Sequence, residues 1–263
     1  MEIDCQCEFG YELQLVIPYA YYLSTINKLQ KTTSCHHTKE LYYFSKNHNE
    51  KHATRRYYLP RGVPNNTPHS HHLKYDQYIP PPYKDIYKND IFVYHKPLLI
   101  IHNKYNMEWD QPPVNFIDKP TLLNIFKLCH VKYRIVYIRP KSKHIVSDNS
   151  SLYDLSENDL FSTFNVLDAN DLYETHKIKH NICNFNHFQL LLHSNCSHFI
   201  SVQGGNAVLA SYFGGTNIIF AKKGSELSSK SYDGHYKKYS NCNVLNNNNY
   251  SKFIDIIKEH YLS

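Results

Sequence analysis

The chain has 263 residues, which is enough for one large domain or two small ones that each bury a core. Hydrophobic residues make up 41% of it, and its 24 tyrosines and 13 phenylalanines indicate a globular protein and argue against a disordered one. The formal charge of +6 is mildly basic and fits phosphate-bearing small molecules. The sequence contains no dense run of Lys and Arg, so its charge pattern does not favour a nucleic-acid partner.

The cysteine and histidine spacings do not predict a metal site. The chain has seven cysteines, and apart from Cys5 and Cys7 they are scattered and lack paired zinc spacing. His69, His71 and His72 are close in sequence, but no Cys or carboxylate stands beside them at ligand spacing. We therefore expect reduced, mostly buried thiols and no metal.

No segment of the sequence resembles a membrane anchor or a secretion signal. No apolar run approaches the ~20 residues of a membrane-spanning helix, and the N-terminus lacks a basic segment followed by an apolar one. We expect a cytoplasmic protein without a transmembrane segment.

The first informative segment is residues 9–23. Its apolar residues recur at helical spacing and predict an amphipathic helix; they are Leu13, Val16, Ile17, Ala20 and Leu23. Glu12 falls in the first turn, where the helix dipole favours a carboxylate, so simple capping is one interpretation. A catalytic base presented towards a cleft is the other.

Between this helix and residue 95 the sequence is less regular. Residues 31–35 and 41–44 are predicted to be short strands. Residues 46–90 are predicted to form irregular loops that end in a linker with three prolines at 80–82. The aromatic residues at 57–94 suit stacking on sugar rings.

From residue 96 the pattern alternates between apolar strands and helices. Strands are predicted at 97–101, 133–138 and 165–167, and helices from Thr121, at 188–193 and at 253–261. Unbroken apolar strands separated by helices indicate an α/β fold with a parallel sheet covered on both faces. We predict two Rossmann-like halves facing a cleft: a reduced N-terminal, acceptor-side domain at 1–92 and a donor-binding domain at 93–263.

Residues 198–226 read as strand, glycine turn, helix and strand. Gly204 and Gly205 make the turn, Asn206 is the predicted N-cap, and Gly214 with Gly215 ends the helix. Such a unit aims backbone N–H groups at a phosphate, although a tight turn packed beneath its neighbour gives the same pattern. Neither a G-x-G-x-x-G nor a P-loop spacing occurs.

Ligands of parallel sheets bind at the carboxyl ends of the strands, so the residues that follow each strand are the candidate donor-binding residues. They are Asn103 and Lys104 after the first strand, Arg139 after the second, and Gln203, Gly204, Gly205 and Asn206 after the fourth. Together they predict a pyrophosphate cradle that needs no metal, although a solvated surface charge is the alternative for each cation. Glu226 is either a ligand for ribose hydroxyls or a loop acid.

These residues carry a resemblance. The C-terminal half resembles the donor half of GT-B-type glycosyltransferases, and Gly10-x-Glu12 followed by Pro18-x-Ala20 is similar to the opening of heptosyltransferases. The segments at 9–23, 103–109 and 201–215 also look like predicted glycosyltransferases of large DNA viruses of algae and amoebae.

The resemblance implies a glycosyltransferase that moves a hexose or pentose from a nucleotide diphosphate sugar, expected to be UDP-linked, to a glycan hydroxyl. It implies an inverting, metal-independent reaction in glycan biosynthesis, in the host cytoplasm if the protein is viral. The nucleotide sugar is then a co-substrate and no cofactor is expected. Glu12 matches the position of the base, with Glu108 and Asp110 in reserve. The alternative is a non-catalytic carbohydrate- or nucleotide-binding module.

Overall fold

The structure is a computed structural model that describes residues 1–56, 58–64, 75–148, 150–234, 236–238 and 241–263. The histidine group at His69, His71 and His72 lies outside the described residues. None of the helices in the described ranges combines the length and apolar composition needed to cross a bilayer.

Two parallel sheets organise the described chain, and neighbouring strands in both run in the same direction. The first has three strands in the order β1-β2-β3, and the second has six in the order β6-β5-β4-β7-β8-β9. The strands are β1 Glu2–Asp4, β2 Lys31–Cys35, β3 His48–His52, β4 Leu98–His102, β5 Arg134–Ile138, β6 Leu167–Asp168, β7 His198–Val202, β8 Thr216–Phe220 and β9 Asn243–Asn247.

The order of the six-stranded sheet is that of a Rossmann fold. The chain begins in the middle at β4, winds outward to β6, then crosses back to β7 and continues to β9. The winding direction therefore reverses between β4 and β7. In open parallel sheets this reversal opens a crevice beyond the carboxyl ends of the two strands, where ligands bind.

Ten α-helices are present in the described chain, several of them short. They are α1 Phe9–Tyr11, α2 Ile17–Thr25, α3 Tyr83–Ile86, α4 Lys119–Cys129, α5 Asp159–Phe164, α6 Ala169–His176, α7 Phe185–Ser194, α8 Gly205–Ser211, α9 Ser225–Ser228 and α10 Tyr250–Ile257. π-helical turns follow α1 at Glu12–Val16 and α10 at Lys258–Leu262. 3₁₀ turns occur at Lys39–Tyr42, Tyr75–Gln77, Ser142–His144 and Tyr236–Lys238.

The four central strands of the six-stranded sheet, β5, β4, β7 and β8, bury both of their faces. Along β4, Leu99 and Ile101 point into one core with α4, α5 and α10, whereas Leu98 and Ile100 point into the other with α6, α7 and α8. Because successive strand residues face opposite sides, a strand covered on both faces needs an unbroken apolar run. The predicted parallel sheet with helices on both faces is confirmed.

The N-terminal part packs on the second of these faces, and one hydrophobic cluster continues through both parts. Polar contacts cross the same boundary: the Tyr212 hydroxyl donates to the Leu13 carbonyl at 2.5 Å, and the Lys84 amine donates to the Phe213 carbonyl at 3.0 Å. The predicted division near residue 92 therefore separates the two sheets, while their cores are joined.

Most elements after residue 96 match the prediction, and the errors lie mainly in the first half. The strand predicted at 41–44 is wrong: Leu41 and Tyr42 are buried, but they belong to a 3₁₀ turn. A short buried apolar run does not separate a strand from a helical turn. Strand β3 was missed because its sequence, HNEKH, contains no apolar residue.

Two histidines form a buried neutral pair between the sheet and α7. The Nε2 atoms of His102 and His193 are 2.7 Å apart and both residues are fully buried. His193 Nδ1 lies 2.5 Å from the Gln189 carbonyl oxygen, so it donates there and its Nε2 accepts from His102 Nε2–H. Burial lowers the pKa of His193 to about 3. Burial, followed by the nearby His193, lowers the pKa of His102.

We predict that mild acid destabilises the fold through this pair. Below pH ~6.5 the unfolded histidines take up protons that the native pair excludes, so the free energy of unfolding falls with pH by up to about 1.4 kcal/mol per unit per histidine. Urea unfolding between pH 7 and pH 5 measures this slope. The double variant His102→Leu/His193→Phe should show a shallower slope than the wild type, and equal slopes would contradict the assignment.

Candidate functional site

The carboxyl ends of β4 and β7 bring Lys104 to the glycine turn. Gly204 has φ 138°, a conformation that side chains disfavour, and it is the N-cap of α8. A side-chain carbon added to Gly204 would lie 3.4 Å from Lys104 Nζ. The predicted meeting of Lys104 with this turn is therefore present, but the predicted cap, Asn206, lies inside the helix instead.

The N-terminal part contacts the same turn. A side-chain carbon added to Gly205 would lie 2.8 Å from Phe9 Cδ1 and 3.1 Å from the backbone nitrogen of Gly10. Gly10 and Gly205, which lack side chains, thus allow α1 and α8 to begin side by side. Glu8 is the N-cap of α1, and its carboxylate accepts the Tyr11 N–H at 3.1 Å.

The carboxylates of Glu8 and Glu226 and the amine of Lys104 interact electrostatically near this turn. The Gln203 amide donates to Glu226 at 2.5 Å. Burial raises the pKa of Glu226; the carboxylate of Glu8 raises it further and the amine of Lys104 opposes the shift. Gln203 is 3% exposed, and its Oε1 has no partner among the described residues.

We call this set of residues the switch-point corner; it consists of Glu8, Lys104, Gln203, Gly204, Gly205, Asn206 and Glu226. Its glycine turn, Asn206, Lys104 and both carboxylates are partly exposed to solvent. A carboxyl group with a raised pKa in a crevice is a frequent mark of a functional site.

Glu108 holds Lys104 in position rather than standing free as a base. Its Oε2 accepts from Lys104 Nζ at 3.0 Å, and its Oε1 accepts the Asn115 N–H at 2.9 Å. The side chain of Asn115 donates to Glu108 and to the carbonyl of Lys223, both at 2.9 Å. The loops after β4 and β8 are tied together by these bonds.

Asn103 is buried, whereas Asp110 is exposed on a turn. Asn103 is 1% exposed; its amide donates to the Ile117 carbonyl at 2.9 Å and to the Tyr137 hydroxyl at 3.0 Å. It therefore shapes the loop that carries Lys104. Asp110 is exposed, with φ 57°, at the tip of a turn that follows Glu108.

Arg139 lies on the same edge of the sheet but does not join the corner. Its guanidinium makes a bidentate ion pair with Glu157, at 2.6 Å and 3.2 Å, and also donates to the Tyr153 carbonyl at 3.0 Å. These groups line a cavity of about 310 Å³ at the ends of β5 and β6, which we call the β5–β6 cavity. The residues that line it do not include Lys104 or Gly204. The predicted cradle of two cations is thus reduced to Lys104.

Glu12 is buried, and the expectation that it faces a cleft is wrong. It is 0% exposed, lies in the π-helical turn, and accepts from Arg55 at 2.7 Å and from the Tyr42 hydroxyl at 2.8 Å. The Ser34 hydroxyl also donates to it. Burial by itself lowers the pKa of Arg55, but the Glu12 carboxylate raises it above its ordinary value. A carboxylate enclosed in this way has no surface that an acceptor hydroxyl reaches.

Sequence patterns do not identify three structural features near these sites. They are the carboxylate of Glu8, the Gln203 Oε1 atom that lacks a hydrogen-bond partner among the described residues, and Arg55. Glu8 carried one usable signal, because an acid directly before an apolar helical segment fits an N-cap position. Arg55 lies in irregular chain, and only tertiary structure brings it to Glu12.

Comparison of the chain with protein-family models, curated proteins and solved structures found no match. The geometry of the site therefore carries the assignment of function.

We predict that breaking the Glu12–Arg55 pair from one side is costly. Arg55→Met leaves a buried carboxylate without its cation, which lowers the free energy of unfolding by about 3–5 kcal/mol. Adding Glu12→Gln to Arg55→Met should recover part of this loss, because the uncompensated charge is removed. Urea unfolding of the two single variants and the double variant measures the coupling. A loss below about 1 kcal/mol for Arg55→Met would contradict a buried ion pair.

Proposed function

We propose that the chain is a GT-B-like glycosyltransferase that transfers a sugar from a nucleotide diphosphate sugar to a glycan hydroxyl. The observation that carries the proposal is the switch-point corner, where Lys104 meets the Gly204 turn and Glu8 approaches from the N-terminal part. A Rossmann-ordered sheet binds ligands at this position.

The diphosphate fits beside the glycine turn. The first amides of a helix lack acceptors within the helix, so the N–H groups of Gly205 and Asn206 are suited to phosphate oxygens. Because Gly204 has no side chain, a phosphate can approach the backbone closely. The Lys104 amine, 3.0 Å from Glu108, would add a charged hydrogen bond to the leaving diphosphate.

The Glu226 carboxylate is suited to the ribose hydroxyls of the donor. Its Oε2 accepts from Gln203 at 2.5 Å, and a carboxylate has the lone pairs to accept further hydrogen bonds from ribose hydroxyls. UDP is the nucleotide we propose for the donor. No Asp-x-Asp triplet occurs in the sequence, and we propose that Lys104 rather than a divalent cation balances the diphosphate.

We propose Glu8, in place of Glu12, as the general base. It is partly exposed, lies on the N-terminal side of the corner, and approaches Glu226 closely enough to raise its pKa. In an inverting transfer the acceptor oxygen attacks the anomeric carbon as the bond from that carbon to the diphosphate breaks. The hydroxyl proton passes to Glu8, and the negative charge passes to the diphosphate beside Lys104.

The burial of Glu12 favours a second candidate, a carbohydrate- or nucleotide-binding module that uses the same corner without turnover. The two functions separate in one experiment. Slow hydrolysis of a sugar nucleotide without acceptor supports the transferase, whereas binding without turnover across a donor panel supports the module.

We predict that Lys104→Met weakens the binding of UDP about 10-fold or more, since it removes a hydrogen bond to a charged group worth about 1.5–3 kcal/mol. Isothermal titration calorimetry measures the change. The matched control is Lys127→Met, at an exposed position on α4, which should bind UDP like the wild type. Equal affinities for the two variants would place the diphosphate elsewhere.

We also predict that Glu8→Gln lowers the rate of sugar transfer or hydrolysis about 100-fold or more while nucleotide affinity is kept, because a general base contributes roughly 10²–10⁴ in rate. Initial rates at saturating donor measure the loss. Rates that stay within a few-fold of the wild type would exclude Glu8 as the base.

A further inference from the structure

A second cluster of polar side chains lies on residues that the proposed transferase does not use. Glu40 is in the 3₁₀ turn Lys39–Tyr42, Cys183 directly precedes Asn184, the N-cap of α7, and His187 is in the first turn of α7. Each residue offers one ligand atom, and these three atoms all lie within 4.8 Å of one another. They are a carboxylate oxygen of Glu40, the sulfur of Cys183 and a ring nitrogen of His187. We propose that these three residues bind Zn²⁺.

The donor set is the one that zinc selects. Zinc binds thiolate sulfur at ~2.3 Å, imidazole nitrogen at ~2.0 Å and carboxylate oxygen at ~2.0–2.2 Å, usually in a tetrahedron. Ligand atoms around such an ion are separated by roughly 3–4 Å. The observed spacing therefore needs only small side-chain movements. Cys183 is exposed, so a water molecule completes the fourth position from solvent.

Neighbouring bonds already orient two of the ligands. The Asn184 amide donates to Glu40 Oε2 at 2.7 Å, and its carbonyl oxygen accepts the His187 N–H at 2.9 Å as the cap of α7. The Cys183 N–H donates to His187 Nδ1 at 3.3 Å, a bond that zinc coordination would replace, because the neutral ring has a single lone pair. One asparagine thus holds the carboxylate and the helical turn that carries the histidine, as outer-shell residues of metal sites do.

The carboxylate of Glu40 otherwise lacks a counter-charge. In the described ranges, no Lys or Arg nitrogen lies within the 4.0 Å of an ion pair from it. A carboxylate, a thiol and an imidazole gathered at one point offer the oxygen, sulfur and nitrogen ligands that suit a metal cation.

The surroundings of Cys183 do not activate its thiol as a nucleophile. Burial and then the Glu40 carboxylate raise the pKa of the thiol, and burial lowers the pKa of His187. The thiol therefore stays protonated and is not activated for attack at neutral pH. When zinc binds, the Cys183 proton leaves to solvent and the sulfur coordinates as thiolate.

Zinc in this position would join the two parts of the chain. Glu40 belongs to the N-terminal part, whereas Cys183 and His187 belong to the six-stranded part. The metal would bind the native arrangement and not the separated ligands, so its binding would add to the stability of the whole fold. This inference is independent of the proposed function, because none of the three residues belongs to the switch-point corner.

Cobalt substitution tests the site in the full chain. After chelator treatment, Co²⁺ titration of the wild type should give one ion per chain and a thiolate-to-cobalt charge-transfer band in the near ultraviolet, which Zn²⁺ then displaces. Cys183→Ser should abolish the band. Glu40→Gln, which keeps the shape of the side chain, should weaken Zn²⁺ binding about 10-fold or more.

The controls address the abundance of other possible ligands, since the chain has 18 histidines and seven cysteines. His180→Asn and Glu259→Gln should leave the band and the stoichiometry unchanged. Chelator should lower the melting temperature of the zinc-loaded wild type but not that of Cys183→Ser. Absence of a cobalt band in the wild type, or a band that persists in Cys183→Ser, would overturn the proposal.

Discussion

The arrangement of the candidate site depends on one close contact between two backbones, at Gly10 and Gly205. A side-chain carbon on Gly205 would lie 3.1 Å from the Gly10 nitrogen, and one on Gly10 would lie 3.5 Å from the Gly205 Cα. Without side chains at these positions, α1 and α8 begin next to each other. The N-terminal part is thereby held against the crevice of the Rossmann-ordered sheet, and an acid from one part faces the glycine turn of the other.

Two glutamates four residues apart have opposite environments because of this contact. Glu8 caps α1 at the partly exposed mouth of the corner, whereas Glu12 is enclosed with Arg55, Tyr42 and Ser34. The π-helical turn that starts at Glu12 lies between α1 and α2 and is completely buried. Such a carboxylate stabilises the packing of the N-terminal part only as long as its cation is present. The cation that pairs with Glu12 is Arg55, which lies far from it in the sequence.

The basic residues at the edge of the sheet divide in a similar way. Lys104 and Arg139 both follow parallel strands, and both are paired with acids. The Arg139–Glu157 pair is bidentate, and the side chain of Glu157 is almost fully buried, so this arginine supports the β5–β6 cavity. Lys104 keeps part of its surface exposed beside Gly204 and remains able to share its charge with a ligand. The mild net positive charge of the chain therefore does not predict which basic side chain binds an anionic ligand.

The sequence by itself determined the parallel α/β core and the strand, glycine turn, helix and strand at 198–226. Apolar periodicity and the conformational freedom of glycine depend only on the local sequence, so they predict the same elements wherever the segment lies in the fold. The sequence also identified Lys104, Gly204, Gly205 and Glu226 as neighbours, because the carboxyl ends of parallel strands share one edge. Only the tertiary structure decided that Glu12 is enclosed, that the helix capped by Glu8 begins beside Gly205, and that Arg139 is bound by Glu157. These outcomes depend on partners distant in sequence, and burial and charge pairing follow from those partners rather than from the pattern around each residue.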